Sequence, residues 1–220
     1  MEIHKVDSKI VTNGIKDFDF AVPLMGDTIT FSETCLDYCV GIVDIVNSTK
    51  ITASLPSSKV GKYYSIFLNT MSSVAKKFGA VIVKNIGDSL LYYFPDTLDP
   101  MRKYGFMKSL ECCLAMVDSH HDINTILHAE KLPSLDYRVS ADYGRTSLAK
   151  SSVSVDLDIF GPPVNMVAKI NHMAAPNTVV IGDDLHRIVK ELYDYKFVEL
   201  MGYSVGFKYQ YTIYSVSRRF

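Results

Sequence analysis

Residues 38–46, YCVGIVDIV, form a nearly continuous apolar run rich in β-branched side chains, the pattern of a central strand buried on both faces. Asp44 interrupts it, and a carboxylate there costs on the order of several kcal/mol unless it meets a cation or several donors. It is therefore either an edge position or a ligand. Asn47, Ser48 and Thr49 follow as a short polar turn whose backbone N–H groups could cradle phosphate ahead of a helix. From Ser57 to Phe78 the apolar positions Val60, Tyr63, Tyr64, Phe67, Met71, Val74, Ala75 and Phe78 recur at three and four residues, which predicts an amphipathic helix. Ser57 or Ser58 can cap its start, and Gly79 suits a left-handed end.

VIVKNIGDSLLYYF, residues 81–94, reads as strand, tight turn at Asn85 to Asp88, and strand. This hairpin is expected to display Lys84 and Asp88 at its tip. A second helical pattern runs through Met107, Leu110, Leu114, Met116, Val117, Ile123 and Leu127, within residues 101–130. His120 and His121 inside it lack the HxxxH spacing of a metal pair and are read as solvated residues of a connecting segment. YRVSADYG is a strand, GRTSLAK its continuation after a turn, and VSVDLDIF a further strand. NTVVIG with DDLHRIVKELY gives a strand and a helix, and KFVEL and YQYTIYSV close with two strands. Residues 1–35 are assigned as an N-terminal extension, with short strands at IVTNG and FDFAV, and 36–220 as one domain. Helices and strands alternate without strict βαβ rhythm, so the fold class is an α/β sandwich with helices over a mixed sheet.

Composition narrows the function. Apolar residues make up 48% of the chain and charged ones 21%, ordinary for a globular domain with a sizeable core. The net charge of −1, with signs interspersed, leaves no basic stripe for a phosphate backbone or an anionic bilayer, so neither nucleic acid nor membrane is an expected partner. No apolar run approaches the roughly 18 residues of a spanning helix, and the first ten residues do not read as a secretory signal. A cytoplasmic location is expected. Cys35, Cys39, Cys112 and Cys113 lack zinc-site spacing and read as reduced, half-buried thiols, because free cysteine behaves as a small core hydrophobe.

The chemistry gathers around DIFGPPVNMVAK, residues 158–169. An aspartate closes a strand, Gly161 makes the turn, and Pro162 or Pro163 occupies the first helical position, where a missing N–H costs nothing. Asn165 and Lys169 then sit one turn apart on one helix face, while Val164, Val167 and Ala168 can pack on the other. Taken alone this is a capped amphipathic helix. With Asp44 and Asp88 brought together by the hairpin it becomes a site, because two close carboxylates repel unless a cation lies between them. Hard oxygen ligands with few protein contacts favour Mg²⁺ shared with substrate phosphates.

The ordered set DIVNSTK, VKNIGDSLLYYF, RVSADYG and DIFGPPVNMVAKI resembles the catalytic domain of class III adenylate and guanylate cyclases, from about residue 38 to the C-terminus. The resemblance implies a palm-like, ferredoxin-like βαββαβ sandwich with a mixed, mostly antiparallel sheet and flanking helices. It also implies a homodimer whose sites lie at the subunit interface, each built from both chains. Residue by residue, Asp44 and Asp88 match the metal-binding aspartates, with the Ile45 carbonyl as a further ligand for two Mg²⁺ or Mn²⁺ ions. Lys84 and Asp158 match the pair that reads the base, as donor to adenine N1 and acceptor from its 6-amino group, which favours ATP over GTP. Asn165 matches the asparagine that orients the ribose. Asn47, Ser48 and Thr49 supply phosphate contacts.

Lys169 departs from the family, which usually has arginine there to stabilise charge on the phosphates as the ribose 3′-oxygen attacks. Lysine keeps the charge but loses the planar fork. Removing one preorganised donor costs about 10²–10³ in rate, and a retained ammonium should forfeit less, so a slow adenylate cyclase producing cyclic AMP and pyrophosphate is expected. A second departure is Met201 before Gly202, where the family often has a basic residue; Lys208 could reach the triphosphate instead. Two other readings are a non-catalytic nucleotide- or partner-binding module of cyclase fold, and a cyclase acting on GTP or a pyrimidine nucleotide, against which Lys84 and Asp158 argue.

Overall fold

The computed structural model describes residues 29–152, 157–203 and 211–220; the strands expected at IVTNG and FDFAV, and Lys208, lie outside them. Its spine is β1 (Ile29–Ile45), a strand of 17 residues. After it come α1 (Ser48–Ala53), α2 (Ser57–Lys77), β2 (Val81–Ile86), β3 (Ser89–Phe94), α3 (Lys103–Asp118), α4 (His120–Ala129), β4 (Tyr137–Ser151) and β5 (Leu157–Phe160). The chain finishes with α5 (Pro162–Asn171), β6 (Val179–Gly182), α6 (Asp183–Val189), β7 (Tyr195–Tyr203) and β8 (Tyr211–Arg218). The strands form one sheet in the order β2-β3-β1-β4-β6-β8-β7, with β5 pairing onto β4. Among the described residues the pairs are antiparallel apart from β4 with β6. This is the mixed, mostly antiparallel sheet with flanking helices that the sequence implies.

Strand alternation divides the interior. Val43 and Ile45 of β1, with Tyr137, Val139 and Ala141 of β4, meet Tyr63, Phe67 and Met71 of α2 and Phe106 and Leu110 of α3 in the main core. Their neighbours Val40 and Ile42 face the other way, against Leu91, Tyr93, Ile159 and Val167. On that second face α5 seats Met166 and Ile170 over Val180 and Ile213. Four helices thus contribute to one face, α2, α3, α4 and α6, and α5 with β5 to the other.

The structure differs from the sequence expectations at several joints. The pattern over 101–130 is two helices, because Ser119 leaves the first with its Oγ bonded back to the Ala115 carbonyl at 2.8 Å, a local bond that competes with the helical ladder. His120 opens the second helix with its Nε2 3.0 Å from Asp136 Oδ1 and 3.1 Å from the Leu135 carbonyl, so it is a tethered residue and not a solvated one. Pro56, not a serine, stands at the cap of α2, with no side-chain capping bond; Gly79 has the expected left-handed φ of 82°. No turn divides YRVSADYG from GRTSLAK. Both halves pair with the long β1, from Ile45 opposite Tyr137 to Cys35 opposite Ser147, and the template keeps them one strand. The strand holding Asp158 runs two residues past it, to Phe160.

One buried carboxyl links three elements. Asp142 on β4 is 1% exposed, accepts from the Tyr211 hydroxyl at 2.7 Å and from the Leu185 N–H of α6 at 3.3 Å. Burial pushes its pKa up to about 7, with nearby Asp184 adding to the rise against these hydrogen bonds. A carboxyl raised in the folded state binds its proton more tightly there than in the unfolded chain, so its contribution to stability is present at low pH and lost as pH rises through the folded value. The expected outcome is that wild-type thermal stability falls relative to Asp142→Asn from about pH 4, where the unfolded carboxyl ionises, to about pH 7, and levels off above it. Parallel stability curves over that range would contradict the assignment.

Candidate active site

Asp44 lies one residue from the end of β1 and is half-buried. β1 pairs with β3 on one side, Val43 opposite Leu90, and with β4 on the other, where Arg138 stands opposite Asp44. From β3 the Ser89 hydroxyl donates to Asp44 Oδ1. Burial raises the Asp44 pKa and the charge of Asp88 adds to the rise, while the Ser89 hydrogen bond and the charges of His172 and Arg138 oppose it. Asp88 occupies the two-residue turn with Gly87, whose φ is 64°. The hairpin therefore brings the two aspartates together.

Ile45 ends β1 opposite Tyr137, and the next residue, Val46, is tied through its N–H to the Asp136 carbonyl at 2.8 Å. Asn47 turns the chain in the left-handed region, φ 56° and ψ 30°, at the cap of α1. Ser48 is buried and Thr49 exposed in the first turn of that helix, so the polar turn is helix start more than loop. Among the described residues no group of three or more His, Cys, Asp and Glu side chains gathers into a cage. Two carboxylates of hard oxygen, one half-buried and electrostatically strained by the other, fit a Mg²⁺ or Mn²⁺ ion that takes its remaining ligands from phosphate and water.

The second constellation stands at the β2 edge. Lys84 Nζ is 2.5 Å from Asp158 Oδ2, and Asp158 Oδ1 accepts from the Ile159 N–H at 2.9 Å, which sets the carboxylate's direction. Lys84 is not at the hairpin tip as expected; it sits within β2 opposite Leu91, after a register shift between Ile82 and Lys84. Such an irregularity re-aims the side chain that follows it. The pair borders a cavity of about 650 Å³ lined also by Ser72, Asn85, Ser151 and Leu157. The two side chains are 46% and 30% exposed, and ion pairs this wet contribute about 0–1 kcal/mol. A ligand can open the pair at little cost, which suits reading better than bracing.

Between β5 and α5, Gly161 holds φ at 144°, and a Cβ there would stand 2.4 Å from the Arg145 carbonyl oxygen. Prolines fill the first positions of α5. Asn165 and Lys169 are both exposed on one side of it, as expected; Val164 and Val167 pack as expected, joined by Met166 and Ile170, whereas Ala168 is exposed. The Lys84–Asp158 cavity has neither Asp44 and Asp88 nor Asn165 and Lys169 in its lining. Sequence reasoning missed Ser89, Arg138 and His172 around Asp44. Ser89 was legible as the residue after the GD turn, but the cross-strand placement of Arg138 needs the register.

The sequence matches the family profile described as the adenylate and guanylate cyclase catalytic domain over residues 32–217. The chain belongs to that family. It is 25% identical over 142 residues to a protein named adenylate cyclase from Streptomyces coelicolor, covering 64% of this chain and 31% of the relative; the chain thus spans about a third of that protein's length. Among solved structures, the adenylyl cyclase CyaB from P. aeruginosa superposes with a TM-score of 0.76 at 21% identity, over 84% of this chain and 97% of that one. The guanylate cyclase domain of RhGC from Catenaria anguillulae, in complex with GTP, gives 0.73 at 17% identity over 84% and 99%. Both show the fold, and they fall on either side of the adenine and guanine divide. Among the described residues no helix is long and apolar enough to cross a membrane.

Because a side chain at 161 meets backbone on one side and carries an unfavourable φ, Gly161→Ala should lower unfolding stability by about 1–3 kcal/mol and displace the start of α5. Denaturant titration measures this; an unchanged midpoint would show that the turn relaxes freely.

Proposed function

We propose that the chain, through residues 36–220, is an adenylate cyclase that converts ATP to cyclic AMP and pyrophosphate as a homodimer, each site drawing on both chains. The observation that carries this reading is the Lys84–Asp158 ion pair on the cavity wall. A cationic donor beside an anionic acceptor matches the N1 and 6-amino edge of adenine; guanine presents the reverse order, O6 as acceptor and N1–H as donor, and meets the same pair only with the base shifted or turned. Cytosine offers the same acceptor and amino pair as adenine on a smaller ring, so, contrary to the expectation from the sequence, the pair does not argue against CTP, which is the competitor to test. The relative named adenylate cyclase supports the choice of ATP.

In this reading Asp44, Asp88 and the Ile45 carbonyl hold two divalent cations, Mg²⁺ or Mn²⁺. When bound, the ions would make the ribose 3′-hydroxyl more acidic and offset the charge of the triphosphate. Asn165 orients the ribose so that its 3′-oxygen lies in line with the α-phosphorus. Lys169 sets an ammonium one helical turn away against charge that develops as pyrophosphate leaves, and the turn of Asn47, Ser48 and Thr49 steadies the phosphates. That the base-reading pair lines a cavity without the two aspartates supports a site completed by a second copy, with the aspartates from one chain and the base, ribose and phosphate residues from the other.

With Mn²⁺ and each of ATP, CTP, GTP and UTP, the purified protein should form cyclic AMP from ATP, and Asp44→Ala should abolish it. Absence of a cyclic product from all four would contradict the enzyme and leave a nucleotide-binding module. A cyclic product from CTP in preference to ATP would move the assignment to the smaller amino base. Lys169→Arg restores the multi-donor fork and should raise turnover roughly tenfold or more, part of what one preorganised donor supplies. Equal or lower turnover would show that the site is built around the ammonium.

A further inference from the structure

Ser89 is buried at the first position of β3, directly after the turn that carries Asp88. Its hydroxyl hydrogen goes to Asp44 Oδ1, and among the described residues no hydrogen bond reaches Asp44 Oδ2. Arg138 faces Asp44 from β4, yet its buried Nε has no hydrogen-bond partner, so it supplies charge and leaves orientation to Ser89. Two carboxylates side by side repel, and a half-buried aspartate beside another would turn away from it toward water. A donor on the neighbouring strand prevents that turn.

We infer that Ser89 is a positioning residue, which holds the Asp44 carboxylate with one oxygen tethered and the other presented beside Asp88 for a divalent cation. This rests on the metal site proposed above. Serine suits the place because a short hydroxyl reaches across adjacent strands without filling the space a cation needs. It donates without adding charge, so the ligand keeps its full negative value. Groups that orient a metal ligand typically govern metal affinity by about 10–100-fold, while a single hydrogen bond to a group that water can also reach contributes only about 0.5–1.5 kcal/mol to folding. Affinity and stability therefore separate a positioning role from a packing one.

The test is Mn²⁺ binding to the full chain without nucleotide, followed by electron paramagnetic resonance, with thermal midpoints measured in parallel for wild type, Ser89→Ala, Ser89→Thr and Asp44→Asn. Ser89→Ala should weaken Mn²⁺ binding about 10–100-fold with its midpoint within a few degrees of wild type, and Ser89→Thr, which keeps the hydroxyl, should recover most of the affinity. Wild-type affinity in Ser89→Ala, with binding lost in Asp44→Asn, would overturn the inference and leave the metal site standing. Affinity and stability falling together in Ser89→Ala, with no recovery in Ser89→Thr, would overturn it in favour of packing. Undiminished binding in Asp44→Asn would remove the metal site itself.

Discussion

The antiparallel register of β1 against β3 and β4 is the constraint on which the rest depends, because it decides which side of the sheet each residue of the apolar run faces. With Val43 opposite Leu90 and Asp44 opposite Arg138, Val43 and Ile45 enter the helix-covered core and Asp44 faces the other side. A slip by one residue would exchange them and drive a carboxylate under α2. Register is held by the length of the pairing, since β4 follows β1 from Tyr137 to Ser151, and by the buried aromatic residues Phe67 and Tyr137 that close over it, their ring centroids 5.3 Å apart. The same pairing brings Ser89 and Arg138 to Asp44. Stability and the proposed metal chemistry thus rest on one ladder.

The different cover of the two faces is the second organising fact. Four helices pack on one side, and α5 and β5 on the other. The strand residues of both faces are buried, Val40 and Ile42 beside α5 nearly as fully as Val43 and Ile45 beneath the helices, so the proposed pairing of two chains rests on the polar candidates, which do not line one cavity. Asp44 and Asp88 are the proposed cation ligands. Lys84 and Asp158, joined to each other at little energetic gain, are the proposed base reader.

Much of this was legible in the residues. The run 38–46 was a central strand because β-branched residues without alternation are buried on both faces, and the GD turn announced the hairpin. Gly161 with Pro162 marked the strand-to-helix turn through the backbone conformations only those residues favour. Other features were not local. Ser119 divides a helical pattern that is continuous in hydrophobicity, because the break comes from a side chain bonding its own backbone. Gly144 suggested a turn, and the long partner strand kept the chain extended through it. Lys84 read as a tip residue because an irregularity inside β2 leaves no mark in composition. The partners of Asp44 depended on pairing between segments about 45 and 94 residues away, which propensity does not carry. The family likeness identified the candidate ligands and readers but not the neighbours that aim them.

The central claim is that each chain carries two complementary half-sites. Mixing two variants tests it most directly: one chain with Asp44→Ala, which keeps the base reader, and one with Asp158→Ala, which keeps the metal carboxylates. Each should be inactive alone. Mixed in equal amounts, random pairing makes about half of the dimers mixed, each with one intact site of two, so activity should return to about a quarter of wild type. No recovery, with mixed dimers demonstrated by tagged pull-down, would contradict the shared site and place the whole reaction within one chain or remove it altogether.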